Sequence, residues 1–269
     1  MALGIVSWTL PQRELGALFE KVGQLGLGAL QFASDQRHYK ARELREHAAG
    51  SGIGLIAIDP FDCGPEGRPS AQGAIDYYRA VVDFAAEAGQ VPVTLHGLAR
   101  WTTDCADKLS AYERLLSCCA AVNEHAKASG VRTLYEVCNH YELPLINTAA
   151  QCHELIGHVG AGNMGMVLDA YHMNINEADP VATLREHAAL LAVYHIADSG
   201  RGGIGSGHID FVAQYRALRQ AGYEGAVAIE AVLPHLAPSS APGSDGERAW
   251  LDEEIRRSAE RWQGYAGPA

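Results

Sequence analysis

Val193-Tyr-His-Ile-Ala-Asp-Ser-Gly-Arg-Gly-Gly-Ile-Gly-Ser-Gly-His-Ile-Asp210 decides how this chain is read. Its first residues continue a short apolar run, 191–196, that reads as a buried strand carrying one imidazole, His195. The run then breaks into a glycine-rich, charged turn, and a helix begins at Asp210. A residue capable of chemistry therefore sits at the end of a strand, just before a helix.

The same unit recurs along the whole chain. Apolar runs predict strands at 3–8, 29–33, 53–58, 91–96, 134–137, 164–168, 191–196 and 226–231. Helical periodicity falls between them, at 14–25, 41–49, 71–88, 108–128, 147–159, 180–190, 211–221 and 247–262. In the first helix Leu15, Leu18, Phe19 and Val22 share a face; in the fourth the spacing predicts a face of Leu109, Tyr112, Leu116, Cys119 and Val122. Strands alternating with helices imply a parallel sheet, and eight such units in about 260 residues match a (β/α)8 TIM barrel. A doubly wound open sheet also fits the alternation, but the count of eight and the placement of polar residues favour the barrel. The expectation is one α/β domain over residues 1–269, with a Pro-, Ser- and Gly-rich loop at 233–246 between the eighth strand and the last helix, positioned to act as a lid.

Composition narrows the class. With 48% hydrophobic and 20% charged residues the 269-residue chain is globular. Its net charge of −11 opposes a nucleic-acid partner, which would need Lys and Arg to neutralise phosphates. Residues 1–8 are too short and too weakly apolar for a signal peptide, and no window approaches the roughly 18 apolar residues of a membrane span. A cytoplasmic protein with a small-molecule partner, and neither a nucleic acid nor a membrane, is expected; a homo-oligomer, dimer or tetramer, stays open. The six cysteines lack Cys-x-x-Cys spacing and read as reduced thiols, mostly filling the core.

Strands five to eight end in Glu136, Asp169, His195 and Glu230. Alone, an acid after a strand is commonly a helix cap, and a buried histidine is commonly just hydrogen-bonded. Together, at the C-terminal mouth of a barrel, three carboxylates would repel one another unless a cation joined them. Three oxygen donors and one imidazole suit one divalent ion, Mn²⁺ foremost, with Mg²⁺ or Co²⁺ also suited.

Glu136-Val-Cys-Asn-His-Tyr-Glu142, Leu168-Asp-Ala-Tyr-His-Met-Asn-Ile175, His195-Ile-Ala-Asp-Ser-Gly-Arg201 with Gly207-His-Ile-Asp210, and Ala228-Ile-Glu230 resemble the successive motifs of the ketose 3-epimerases of the D-tagatose and D-psicose type, within the xylose-isomerase-like barrels. The likeness covers the second half of the chain and implies that Glu136, Asp169, His195 and Glu230 hold the metal. It also implies that Glu136 and Glu230 are the acid-base pair, and that Glu142, His172 and Arg201 contact substrate oxygens. The chain departs from the pattern at Gly200, where Asn is common, at Ile204, where Pro is frequent, and at Gln31, where Glu is common.

The chemistry fits the residues. Removing a proton beside a ketone builds an enediolate, which a Lewis-acidic ion steadies, and inverting the carbon needs an acid and a base on opposite faces. Aldose-ketose isomerisation can use the same ion on a single face, so it remains the alternative. An abasic-site DNA endonuclease would need more histidines and a basic groove, and a non-catalytic sugar-binding barrel would not need two placed glutamates. Residues 202–207 before a helix could cradle phosphate but lack a nucleotide fingerprint, so a flexible turn is the expectation. His208 is expected to be a loop hydrogen-bonder, and Trp8 and His96 core or mouth packing.

Overall fold

The computed structural model describes residues 1–60, 63–64, 70–160, 162–236, 240 and 242–266. Its strands are β1 (Leu3–Val6), β2 (Ala29–Ala33), β3 (Gly54–Asp59), β4 (Val93–Thr94), β5 (Thr133–Val137), β6 (Met164–Asp169), β7 (Leu191–Ile196) and β8 (Ala226–Ile229). Each pairs in parallel with the next and β8 pairs with β1, closing the barrel. The helices among the described residues are α1 (Leu15–Gln24), α2 (Ala41–Ser51), α3 (Ala71–Glu87), α4 (Lys108–Ala128), α5 (Ala149–Val159), α6 (Ala170–Asn176), α7 (Pro180–His187), α8 (Phe211–Gln220) and α9 (Asp245–Gly264). None is long and apolar enough to cross a membrane.

Local chemistry sets where helices start. Glu14 accepts from the Gly16 and Ala17 amides ahead of α1, and α4, α5 and α9 open on reciprocal capping boxes, Asp107 with Ser110, Thr148 with Gln151, and Ser244 with Glu247. The cysteines among the described residues are all free, four of them buried.

Several expectations needed correction. The strand expected at 3–8 stops at Val6, and residues 7–9 form a 3₁₀ turn. The strand expected at 91–96 shrinks to Val93–Thr94: Pro92 has no N–H for a ladder, and Leu95 turns helical ahead of a 3₁₀ segment, His96–Thr102. The buried stripe of α4 is Ala111, Leu115, Cys118, Cys119 and Val122, whereas Leu109 is 68% exposed. Apolar residues lie all round that helix, so their period could not select the face. A helix that periodicity did not reveal, α6, begins directly after β6. Of the loop expected at 233–246, residues 237–239 and 241 lie outside the described residues, as do Phe61, Asp62 and Pro65 after β3.

Two apolar clusters organise the interior. The larger lies where the helices cover the barrel, and the smaller joins Val6, Ala29, Ala57, Leu134, Val167, Val193 and Ala228 from seven different strands. Side chains along a strand alternate sides, so the residues two positions further on continue the same row. They are Gln31, Asp59, Glu136, Asp169, His195 and, just past β8, Glu230; Trp8 joins them from the turn after β1, Thr94 from β4, and His96 from the 3₁₀ segment after β4. An apolar floor is thus followed by a polar layer at the C-terminal end, with a contribution from every strand.

β1 and β2 approach closely at Gly4, where an added Cβ would lie 2.4 Å from the Ala29 carbonyl oxygen. Gly4→Ala is therefore expected to cost about 1–3 kcal/mol, because the obstacle is backbone. Gly23→Ala, with open space around it in α1, should be neutral or stabilising by about 0.5–1 kcal/mol. Paired urea-unfolding curves check both, and equal effects would refute the close-approach argument.

Candidate metal centre and active site

One ligand-capable atom from each of Glu136, Asp169, His195 and Glu230 falls within 4.8 Å of the other three, and all four residues are buried. His195 Nδ1 lies 3.4 Å from Glu136 Oε1 and 3.4 Å from Glu230 Oε2. Buried polar atoms are normally hydrogen-bonded, yet no donor reaches Asp169 Oδ2 or Glu230 Oε2, and His195 Nδ1 makes no hydrogen bond. The remaining atoms of these side chains are anchored. Asp169 Oδ1 caps α6 by accepting from the Tyr171 amide at 2.7 Å, Glu230 Oε1 accepts from the Trp8 indole at 2.8 Å, and His195 Nε2 meets Gln31 Oε1 at 2.9 Å. Each anchored side chain leaves one unsatisfied atom facing a common point, an arrangement that a divalent cation fits.

Two other groups come within ligand distance of one another, Glu136 with Cys138 and His172, and Asp59 with His96 and Glu136. Burial and the nearby Glu136 charge push the Cys138 thiol well above its usual range, so it stays protonated. Asp59 already accepts from Gln31 at 3.1 Å and from Thr94 at 2.8 Å. The quartet is the better ligand set.

The electrostatics show how strained the charges are. Burial opposes ionisation of Glu136 and Glu230, but facing His195, with His96 at Glu136 and Arg201 at Glu230, outweighs it and holds both below the ordinary carboxylate value. Asp169 goes the other way, raised well above its usual range by burial and by the charge of Glu230. Burial also opposes charge on His195, yet Glu136 and Glu230 raise its pKa well above normal.

The three residues expected to face substrate form a second set around the quartet. Arg201 Nη1 donates to Glu142 Oε1 at 3.0 Å and lies 3.4 Å from His172 Nε2, while Nη2 is 3.8 Å from Glu230 Oε2. Its guanidinium also lies over the Tyr171 ring, 4.7 Å from the centroid. Asn139 donates to Glu142 at 3.1 Å and meets His172 Nδ1 at 2.8 Å. His172 sits one turn along from Asp169, its Nε2 4.0 Å from Asp169 Oδ2, because α6 places residues three apart on one side.

The glycine-rich run after β7 is a tightly hydrogen-bonded turn. The buried Asp198 carboxylate accepts from the amides of Ser199 at 2.7 Å, Gly205 at 2.8 Å and Ile209 at 3.1 Å, and Ile204 N donates to Ser258 at 2.9 Å. The loop pins Arg201 at a φ of 63°, a conformation uncommon for a non-glycine residue. Hydrogen bonds from Arg201 N to Asp198 O and from Val232 N to Arg201 O hold it there. His208 is the expected loop hydrogen-bonder, its Nδ1 2.9 Å from Ser199 Oγ.

Sequence reasoning missed Asp59, Thr94 and Asn139, noted Gln31 only as a departure from the family pattern, and undervalued Trp8 and His96. Trp8 reaches a catalytic candidate directly, and His96 Nε2 lies 3.8 Å from Glu136 Oε2. Counting two residues onward from each strand's apolar floor would have found Gln31 and Asp59. Asn139 sits in a turn beyond β5, where no period applies.

Residues 19–258 match the family described as the xylose isomerase-like TIM barrel, and the chain belongs to it. It is similar to L-ribulose 3-epimerase of Mesorhizobium japonicum, 42% identical over 112 residues that cover 42% of this chain and 38% of that protein. It is also similar to D-psicose 3-epimerase of Agrobacterium fabrum, 29% identical over 252 residues, or 89% of this chain and 85% of that one. In fold it follows the crystal structure of D-psicose 3-epimerase from Clostridium cellulolyticum H10 with D-tagatose, with a TM-score of 0.82 at 23% identity over 98% of both chains.

Burial, and then the neighbouring Arg201 charge, lowers the His172 pKa to about 3. An unfolded histidine titrates near 6.5, so between those values the unfolded chain binds a proton that the folded chain refuses. This contribution is complete above about pH 6.5 and is lost progressively as pH falls toward 3. His172→Gln should therefore show a shallower loss of stability between about pH 6.5 and 4. Unfolding measured across that window checks it; parallel slopes would contradict it.

Proposed function

We propose that this protein is a metal-dependent sugar epimerase that inverts C3 of an unphosphorylated ketose, with Glu136 and Glu230 exchanging the acid and base roles. The observation that carries the reading is the convergence of the unsatisfied Asp169 Oδ2, His195 Nδ1 and Glu230 Oε2 atoms beside Glu136. The relatives named as ketose epimerases support it. Glu136, Asp169, His195 and Glu230 would hold the ion, and when bound it supplies Lewis-acid stabilisation of negative charge developing on the ketone oxygen.

The chain's own groups account for the rest. Glu136 and Glu230 are both held ionised and ready to take a proton, and they come from non-adjacent strands, so each can serve one face of C3. Arg201, fixed by its loop, and neutral His172 offer directional hydrogen bonds to hydroxyl groups and orient the sugar. A free sugar is favoured because three consecutive amides of the glycine-rich run are already engaged, Ile204 by Ser258, Gly205 by Asp198 and Ser206 by the Gly203 carbonyl. The three other expectations that go with this reading are one domain, Mn²⁺ as the preferred ion and Glu142 as a third contact to the sugar.

Chelator-treated protein should lose turnover and regain it with Mn²⁺ or Co²⁺. Asp169→Asn and His195→Ala should lose ion and turnover together, while Cys138→Ser keeps the ion. Since Asp169 and His195 are both raised toward protonation, ion binding should release protons and tighten as pH rises. Calorimetry in buffers of different ionisation enthalpy reads this directly, and a pH-independent affinity would speak against Asp169 and His195 as ligands.

Turnover of a ketose panel in D₂O, followed by NMR, decides the reaction. Deuterium is expected at C3 of the product. Glu136→Gln and Glu230→Gln should each block inversion, and each should still exchange the C3 proton of a different epimer. Exchange confined to C1 or C2 would replace the epimerase reading with an aldose-ketose isomerase.

A further inference from the structure

None of the four candidate ligands comes from β1 to β4, yet this half of the barrel commits three buried polar side chains to one line. Thr94 Oγ1 donates to Asp59 Oδ1 at 2.8 Å, Gln31 Nε2 donates to Asp59 Oδ2 at 3.1 Å, and Gln31 Oε1 meets His195 Nε2 at 2.9 Å. The line spans four strands and links positions 164 residues apart in sequence. A one-residue shift in the β2–β3 register falls between Leu30 and Gln31, the kind of irregularity that re-aims a side chain beside a site.

The polarity of the line has one solution. Asp59 accepts at both oxygens, from the Thr94 hydroxyl and from the Gln31 amide nitrogen, so the NH₂ end of Gln31 faces it. The carbonyl end then faces His195 and only accepts, so His195 Nε2 must carry the proton. In the neutral imidazole that a metal ligand must be, Nδ1 then keeps its lone pair, and Nδ1 is the atom that stands 3.4 Å from both Glu136 and Glu230 without a hydrogen bond.

We infer that Gln31 is a positioning residue for a metal ligand: it holds His195 across the barrel in the Nε2–H tautomer with Nδ1 presented to the ion, and Asp59 and Thr94 set its own orientation. The inference rests on His195 being a ligand, as proposed above. The outer hydrogen bond of a ligating imidazole fixes its tautomer and ring direction and raises its basicity. It also explains three buried polar residues that the proton-transfer chemistry does not use.

The test is the Mn²⁺ dissociation constant of the full-length protein, measured by chelator competition, with melting of the chelator-treated protein as a control for folding. Gln31→Leu should weaken Mn²⁺ binding about 10- to 100-fold while the metal-free protein remains folded. The double variant Gln31→Glu with Asp59→Asn reverses the donor and acceptor between these two positions but preserves an acceptor for His195 Nε2–H. It should restore binding to the wild-type level, which a role in packing alone would not require. Thr94→Val, a near-isosteric change, should weaken binding in the same direction by a smaller factor and serves if Gln31→Leu does not fold. Unchanged affinity in Gln31→Leu or, failing that variant, in Thr94→Val overturns the inference, as does a double variant no better than Gln31→Leu. Failure of the wild-type protein to bind Mn²⁺ would overturn the metal reading itself, a separate outcome.

Discussion

Carboxylates cannot be gathered in the dry end of a barrel without positive charge among them, and much of this structure follows from that constraint. Glu136, Asp169 and Glu230 are buried at one end of the interior around His195. The balance among them is already uneven. His195 and Arg201 help hold Glu230 ionised, while Asp169 is driven toward its protonated form by burial and by Glu230. In the proposed epimerase, these candidate ligands would give up a proton as they take the cation.

The two halves of the barrel divide the work. β5 to β8 and the residue after β8 bring the quartet, with Glu142, His172 and Arg201 close around it. β1 to β4 bring the side chains that hold these in place: Trp8 fixes one oxygen of Glu230, Gln31 fixes His195, and His96 faces Glu136. This division explains why the motifs legible in the sequence cluster in the second half of the chain. Side chains that position others can fall on the strand period, as Gln31 and Asp59 do, but the partner each one meets lies on a distant strand and leaves no mark in the local spacing.

The loop after β7 shows how the candidate substrate-binding side chain of Arg201 is held. Asp198 uses its carboxylate to gather three backbone amides, and the loop thereby keeps Arg201 in a left-handed conformation that most residues avoid. Its guanidinium is delivered to Glu142, His172 and Glu230 at once. Glycines here allow the chain to fold tightly around Asp198, which is a different use from cradling a ligand's phosphate.

Sequence alone determined the repeating strand and helix unit, the eightfold count and the four strand-end candidate ligands, because strand and helix periods and polar residues at strand ends are local properties. Those signals led to a closed parallel barrel with Glu136, Asp169, His195 and Glu230 at its mouth. Only the tertiary structure decided the buried face of α4, where apolar residues on every side left the period mute, and the brevity of β4, which depends on pairing as well as on Pro92. It also decided what the glycine-rich loop binds and which buried polar groups meet. The Thr94–Asp59–Gln31–His195 line joins four strands through single hydrogen bonds. No window of sequence contains such a line, since it exists only once the sheet closes and brings β2, β3 and β4 across from β7.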